Sequence, residues 1–226
     1  MRGLGALALI AALGLCALGQ VQYGPSATPA QVLELLEALA ASPAMKWQTR
    51  GGLAAAMEDG RLTPQVAYAL FLKLQGLSPG DQEAALQVLI EPLQGGYPLD
   101  RLFNEALKGL RLSRPWPEVE GVIRLRVRLL KATGQVLERY GLLPQPGMRT
   151  DNGERLVLEV AWAVGDHLVA GGSPADTGGM SSLVKTRLAR LRERVLPAWL
   201  VDPLLQAISP ALLSELVGLA LDQERR

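Results

Sequence analysis

Three copies of one six-residue skeleton, Gly-x-x-Pro-x-Asp, punctuate this chain: Gly76-Leu77-Ser78-Pro79-Gly80-Asp81, Gly95-Gly96-Tyr97-Pro98-Leu99-Asp100 and Gly171-Gly172-Ser173-Pro174-Ala175-Asp176. Each residue type has a physical place at a junction between two helices. Glycine reaches the left-handed conformation that closes a helix. Proline suits the first helical position, where its missing N–H costs nothing. Aspartate two residues on sets negative charge beside the positive end of the new helix. Thr28-Pro29-Ala30-Gln31 adds a capping box, Ser42-Pro43 a break, and Thr63-Pro64 and Ser209-Pro210 two further starts.

Between these marks the apolar residues recur at helical spacing, in a composition rich in leucine and alanine. No stretch alternates β-branched and polar residues, so strands are not expected. Helices are predicted over 28–41, 45–59, 63–75, 78–93, 98–110, 117–140, 154–170, 182–196 and 210–226. Gly178-Gly179 should stall the third copy after a turn, and 197–208 is a short apolar stretch broken by Asp202-Pro203. The implied fold is all-α, an array of short antiparallel helical hairpins. Two packed halves, 20–143 and 154–226, would be joined by a proline-bearing linker at 144–153. The skeleton's copies start 19 and then 76 residues apart, too irregular for a solenoid.

The first nineteen residues read as a secretory signal peptide. Arg2 is followed by an uncharged apolar run from Leu4 to Leu18, and Ala17-Leu18-Gly19 places small residues where a signal peptidase reads them. A retained anchor would need a longer run. A lipoprotein reading of Cys16 meets Leu15 where a small residue is wanted. Cleavage removes Arg2 and lowers Lys+Arg from 23 to 22, equal to the 22 Asp+Glu. The mature chain is then formally neutral, has no cysteine, and exerts no general pull on nucleic acid. It should be exported to the periplasm or beyond, meeting the membrane only through the signal peptide if that is kept.

Few residues carry chemistry. His167 is the one histidine, so a metal centre is not expected, nor a cofactor. No Gly-x-Ser-x-Gly elbow would complete a triad with it. If His167 acts as a base, Asp166 or Glu159 would partner it; the simpler reading is a partly buried histidine held by a neighbour. Arg126 stands out, because it falls among Val119, Val122, Leu129 and Leu130 on the apolar side of the long helix. Such an arginine must snorkel or meet a carboxylate, and Glu159 and Asp166 are the candidates. Lys185, Arg187, Arg190, Arg192 and Arg194 form the one local excess of positive charge, with Glu193 among them. Lys185, Arg187, Arg190 and Arg194 are the candidate anion- or partner-binding residues. The four tryptophans read as core or inter-helix packing.

From Leu93 to Leu130 the chain resembles uncharacterised exported bacterial helical proteins, through the turn at Gly95, Lys108-Gly109 and the arginine-rich Arg124 to Arg128. The resemblance implies export and a helical fold, and no activity. The expected function is a non-catalytic structural or interaction component of the bacterial cell envelope, meeting another envelope protein or an anionic envelope polymer. The alternative is an envelope hydrolase using a single catalytic carboxylate.

Overall fold

The computed structural model describes residues 26–95, 97–143 and 151–222. The signal peptide and most of the proposed linker lie outside them. Ten α-helices and no strand occur among the described residues: α1 Pro29–Ala38, α2 Pro43–Glu58, α3 Pro64–Leu74, α4 Pro79–Gln94, α5 Asp100–Arg111, α6 Trp116–Arg139, α7 Asp151–Val169, α8 Thr177–Arg194, α9 Ala198–Ala207 and α10 Pro210–Asp222. The fold is all-α, an array of packed helices.

The start signals work locally. Thr28 accepts from the Gln31 N–H while the Gln31 side chain accepts from the Thr28 N–H, closing both sides of the capping box. Ser42 caps α2, so Ser42-Pro43 begins that helix, while α1 has already ended at Ala38. Several boundaries differ from expectation. α1 ends at Ala38, α5 begins at Asp100, and α7 begins at Asp151, inside the expected linker. α4 runs one residue beyond the expected 93, to Gln94, with Pro92 inside it. Residues 198–207 form a full helix despite Pro203. The third skeleton does not stall: Asp176 caps α8 by accepting from the Gly179 N–H at 2.9 Å, and the helix starts at Thr177. A cap contributes about 1 kcal/mol, which offsets much of what a first-turn glycine costs.

The three aspartates of the repeated skeleton do three different things. Asp81 accepts from the hydroxyl of Ser78, the residue that caps its own helix. Asp100 accepts from the Thr63 N–H at 2.6 Å, capping α3 from the start of α5. Asp176 caps α8 and reaches His167. The glycines differ too. Of the three that open the skeletons, only Gly171 takes a positive φ, at 86°.

Gln82, directly after the first skeleton, is buried and ties two turns together. It accepts from Ala40 N–H at 2.6 Å and donates to the carbonyls of Leu77 and Gln75. Glu83 beside it accepts from both the hydroxyl and the N–H of Ser42, which holds its carboxyl below the usual range.

In the first half, α1 lies on α3, α2 on α4, α3 on α5 and α4 on α6, and consecutive helices meet as well, α1 with α2 and α5 with α6. In the second, consecutive helices pack as hairpins, α6 with α7, α7 with α8 and α8 with α9, while α10 returns to α6 and α8. Helix α6 touches both groups, and one connected apolar core runs from Val32 to Ala220. Its buried stripe centres on Val119, Ile123, Val127, Leu130 and Val136, leaving Val122 and Leu125 half-buried. The described core therefore lies wholly within residues 20–226.

Asp100→Ala should lower unfolding free energy by about 1 kcal/mol, the usual loss for a helix cap. Asp81→Ala should cost less, since Ser78 still caps α4. Urea unfolding of both variants checks the ordering.

Candidate functional site

Helix α7 presents Glu159, Trp162 and Asp166 at spacings of three and four, hence on one face. That face meets α6 and α8, and its side chains also reach α5. Arg126 of α6 is 1 % exposed. One of its terminal nitrogens donates to Asp166 Oδ1 at 2.5 Å and lies 3.5 Å from Glu105 Oε1. The other donates to the carbonyl of Trp162 at 3.1 Å. Of the two carboxylates considered for Arg126, Asp166 is its partner. Glu159 is taken by Arg101 at 2.7 Å and by Arg187 at 3.3 Å. Arg187 also donates to the second oxygen of Asp166.

The result is a continuous chain of opposite charges that runs from Glu105 through Arg126, Asp166, Arg187 and Glu159 to Arg101. Arg101, Arg126 and Arg187, from α5, α6 and α8, alternate with Glu105, Glu159 and Asp166, from α5 and α7. Trp162 is buried among them, with the Arg101 and Arg126 guanidinium carbons each 5.0 Å from its ring centroid. Cations over a desolvated indole face are stabilised by its quadrupole. Burial pushes the Arg101 guanidinium below its ordinary value, with Glu159 acting against the shift.

Gly165 makes the approach of α6 possible. A Cβ there would stand 2.2 Å from Arg126 Nη1 and 3.1 Å from Leu129 Cδ1. Sequence reading missed Gly165, Arg101 and Glu105. The available signals were a glycine inside an otherwise good helix and the shared face of Glu159, Trp162 and Asp166.

Asp166 and Arg187 also line a cleft of about 520 Å³ between the end of α7 and α8, with His167, Ala170, Gly172, Leu183, Thr186 and Arg190. His167 pairs with neither Asp166 nor Glu159. Its Nε2 lies 3.5 Å from Asp176 Oδ2, across the turn that Gly171 and Gly172 make. Gly172 and Gly179 leave room for this pair, because a Cβ at either would lie within 3.0 Å of the imidazole ring.

The basic residues of α8 separate by helical angle. Arg187, Arg190 and Arg194, three and four apart, share the edge toward the cleft. Lys185 lies on the opposite edge, toward Arg192, which is bonded to Asp202 at 2.8 Å. Arg187 is committed to Asp166 and Glu159, whereas Lys185, Arg190 and Arg194 are exposed and make no ion pair among the described residues. Clefts between α4 and α6 also hold cations, but there Arg124 pairs with Glu120 and Lys131 with Glu91. Two tryptophans depart from expectation. Trp116 and Trp162 are buried, but Trp47 and Trp199 stand out in solvent.

No family model, curated protein or solved structure matches this chain. The energetics of the ion network are open to direct test. Asp166→Ala leaves a buried arginine short of its main partner and should cost about 3–5 kcal/mol. Arg126→Met, which removes the charge and keeps much of the volume, should cost less. Gly165→Ala should cost about 1–3 kcal/mol through overpacking. Chemical denaturation of the three variants checks the order; equal stability of Asp166→Ala and wild type would contradict the geometry.

Proposed function

We propose that this chain is an exported, non-catalytic interaction component of the bacterial cell envelope, and that the α7–α8 cleft and its basic rim take acidic groups of an envelope polymer. Export rests on the signal-peptide pattern of residues 1–19. The observation that carries the binding reading is the uneven pairing of charge. Asp166, the one carboxylate lining the cleft, lies between Arg126 and Arg187, while Arg190 on the rim and Arg194 one turn on have no carboxylate partner among the described residues. Within the cleft lining an arriving anion meets no carboxylate that lacks a cationic partner; exposed Glu193 lies beside Arg194 on α8. The rival reading, a hydrolase working through one carboxylate, needs a group free to exchange a proton. Both Asp166 and Glu159 sit between two arginines, which favours the non-catalytic reading.

The test is titration of residues 20–226 with polyphosphate of defined length at low and high salt. Binding is expected at low salt and should weaken as salt rises. Arg190→Glu/Arg194→Glu should weaken it by about tenfold, from two attractions lost and two repulsions gained, with an unchanged unfolding midpoint. Wild-type protein that ignores the polymer at low salt would sink the proposal.

A further inference from the structure

His167 is the chain's one histidine, and its ring lines the α7–α8 cleft together with Asp166, Arg187 and Arg190. The side chain is 15 % exposed. Its Nε2 is shut off from solvent and has no hydrogen-bond partner among the described residues. Such an unpaired buried nitrogen is uncommon in a folded protein. Asp176 Oδ2 stands nearest, at 3.5 Å, beyond ordinary hydrogen-bond length. The other oxygen of Asp176 already accepts from the Gly179 N–H. Oδ2 is therefore free to take a proton donor, and the turn is shaped around the ring, since bulk at Gly172 or Gly179 would collide with it.

The charges that face the ring come from three sides. Asp166, next to it on α7, is held between Arg126 of α6 and Arg187 of α8, with Glu105 of α5 behind Arg126. Arg190 of α8 carries no ion pair among the described residues. Asp176, in the turn just outside the cleft lining, has no arginine or lysine partner among them either. While the imidazole is neutral, Asp176 is an unbalanced negative charge beside a cleft for anions.

We propose that His167 is a further binding residue of this cleft, whose protonation couples anion binding to pH. The coupling rests on the cleft taking acidic groups, as proposed above. Histidine is the side chain that changes charge between about pH 5 and 8. With the ring neutral, Arg190 is the one uncompensated cation in the lining and Asp176 opposes the ligand. With the ring protonated, Nε2–H is placed to donate to Asp176 Oδ2, and that carboxylate is neutralised while the lining gains a cation. Both changes act in one direction, so acid strengthens binding. Linkage is reciprocal: a bound anion favours the protonated ring by the same factor, and binding takes up a proton.

Polyphosphate of defined length would be titrated into residues 20–226 at low salt, at about pH 8 and about pH 5.5. Wild type should bind about three- to tenfold more tightly at the lower pH. His167→Gln should match wild type at the higher pH and lose most of that gain. Asp176→Asn, which keeps a capping side chain, should bind more tightly than wild type at the higher pH; equal or weaker binding would remove Asp176 from the coupling. Calorimetry at about pH 6.5 in two buffers of different ionisation enthalpy reads the proton itself. Uptake is expected with wild type, a result that stands even where a variant folds poorly, and none with His167→Gln. A pH profile shared by wild type and His167→Gln, without proton uptake, would overturn the coupling and leave the polymer reading standing. Wild type that ignores the polymer at both pH values would sink the two together.

Discussion

An arginine in the middle of a protein core cannot be left alone. The cost of taking a guanidinium out of water far exceeds what any one apolar contact returns. Arg126 of α6 is therefore a condition on the rest of the fold: whatever packs there must bring anions and acceptors. Helix α7 brings Asp166 and the Trp162 carbonyl, α5 brings Glu105 to 3.5 Å, and Gly165 removes the side chain that would stand in the way. Arg187 then balances the second oxygen of Asp166 and binds Glu159, and Glu159 in turn holds Arg101. One buried charge thus fixes the relation of α5, α6, α7 and α8. An apolar contact would tolerate sliding by a turn, but this network would not, since every hydrogen bond has a direction and a partner.

The turns show how far local chemistry carries. Prolines with capping residues mark the starts of α1, α2, α3, α4 and α10, because they act within a turn of their own position. Within the repeated skeleton only Pro79 opens a helix: Pro98 and Pro174 lie ahead of helices that begin at Asp100 and Thr177. The same repetition misled about what each aspartate does. Asp81, Asp100 and Asp176 occupy equivalent places in the skeleton, yet one binds its own cap, one caps a neighbouring helix and one begins the helix expected to stall. Which of these occurs depends on where the next helix lies. That is a tertiary fact, absent from a window of six residues.

The candidate site was legible to a similar depth. Helical angle alone puts Arg126 on the apolar side of α6 and demands an anion for it. It does not choose between Glu159 and Asp166, which lie seven residues apart on one face of α7. The choice is made by Arg101 and Arg187, whose helices arrive from elsewhere in the chain. His167 is similar: the carboxylate that lies 3.5 Å from its Nε2, Asp176, is nine residues on, brought close where Gly171 and Gly172 turn the chain back. The basic run on α8 read as one patch, and the packing divided it into an arginine committed to the core and cations left outside. Trp199 could not have been told from Trp162 by sequence, since both lie in apolar stretches and differ only in what packs over them.

This division of α8 bears on what kind of partner suits the protein. The floor of the cleft is electrically balanced, because Asp166 meets two arginines and Arg187 meets two carboxylates. Attraction for an incoming anion comes from Arg190 and Arg194, and exposed charges of this kind contribute about 1 kcal/mol or less apiece. A single small anion would then be held weakly and be displaced by salt. A polymer or a lipid surface presents many anions at once, so that each further contact is made at a high effective concentration and modest terms add. Charge placed this way suits partners that are extended and repetitive.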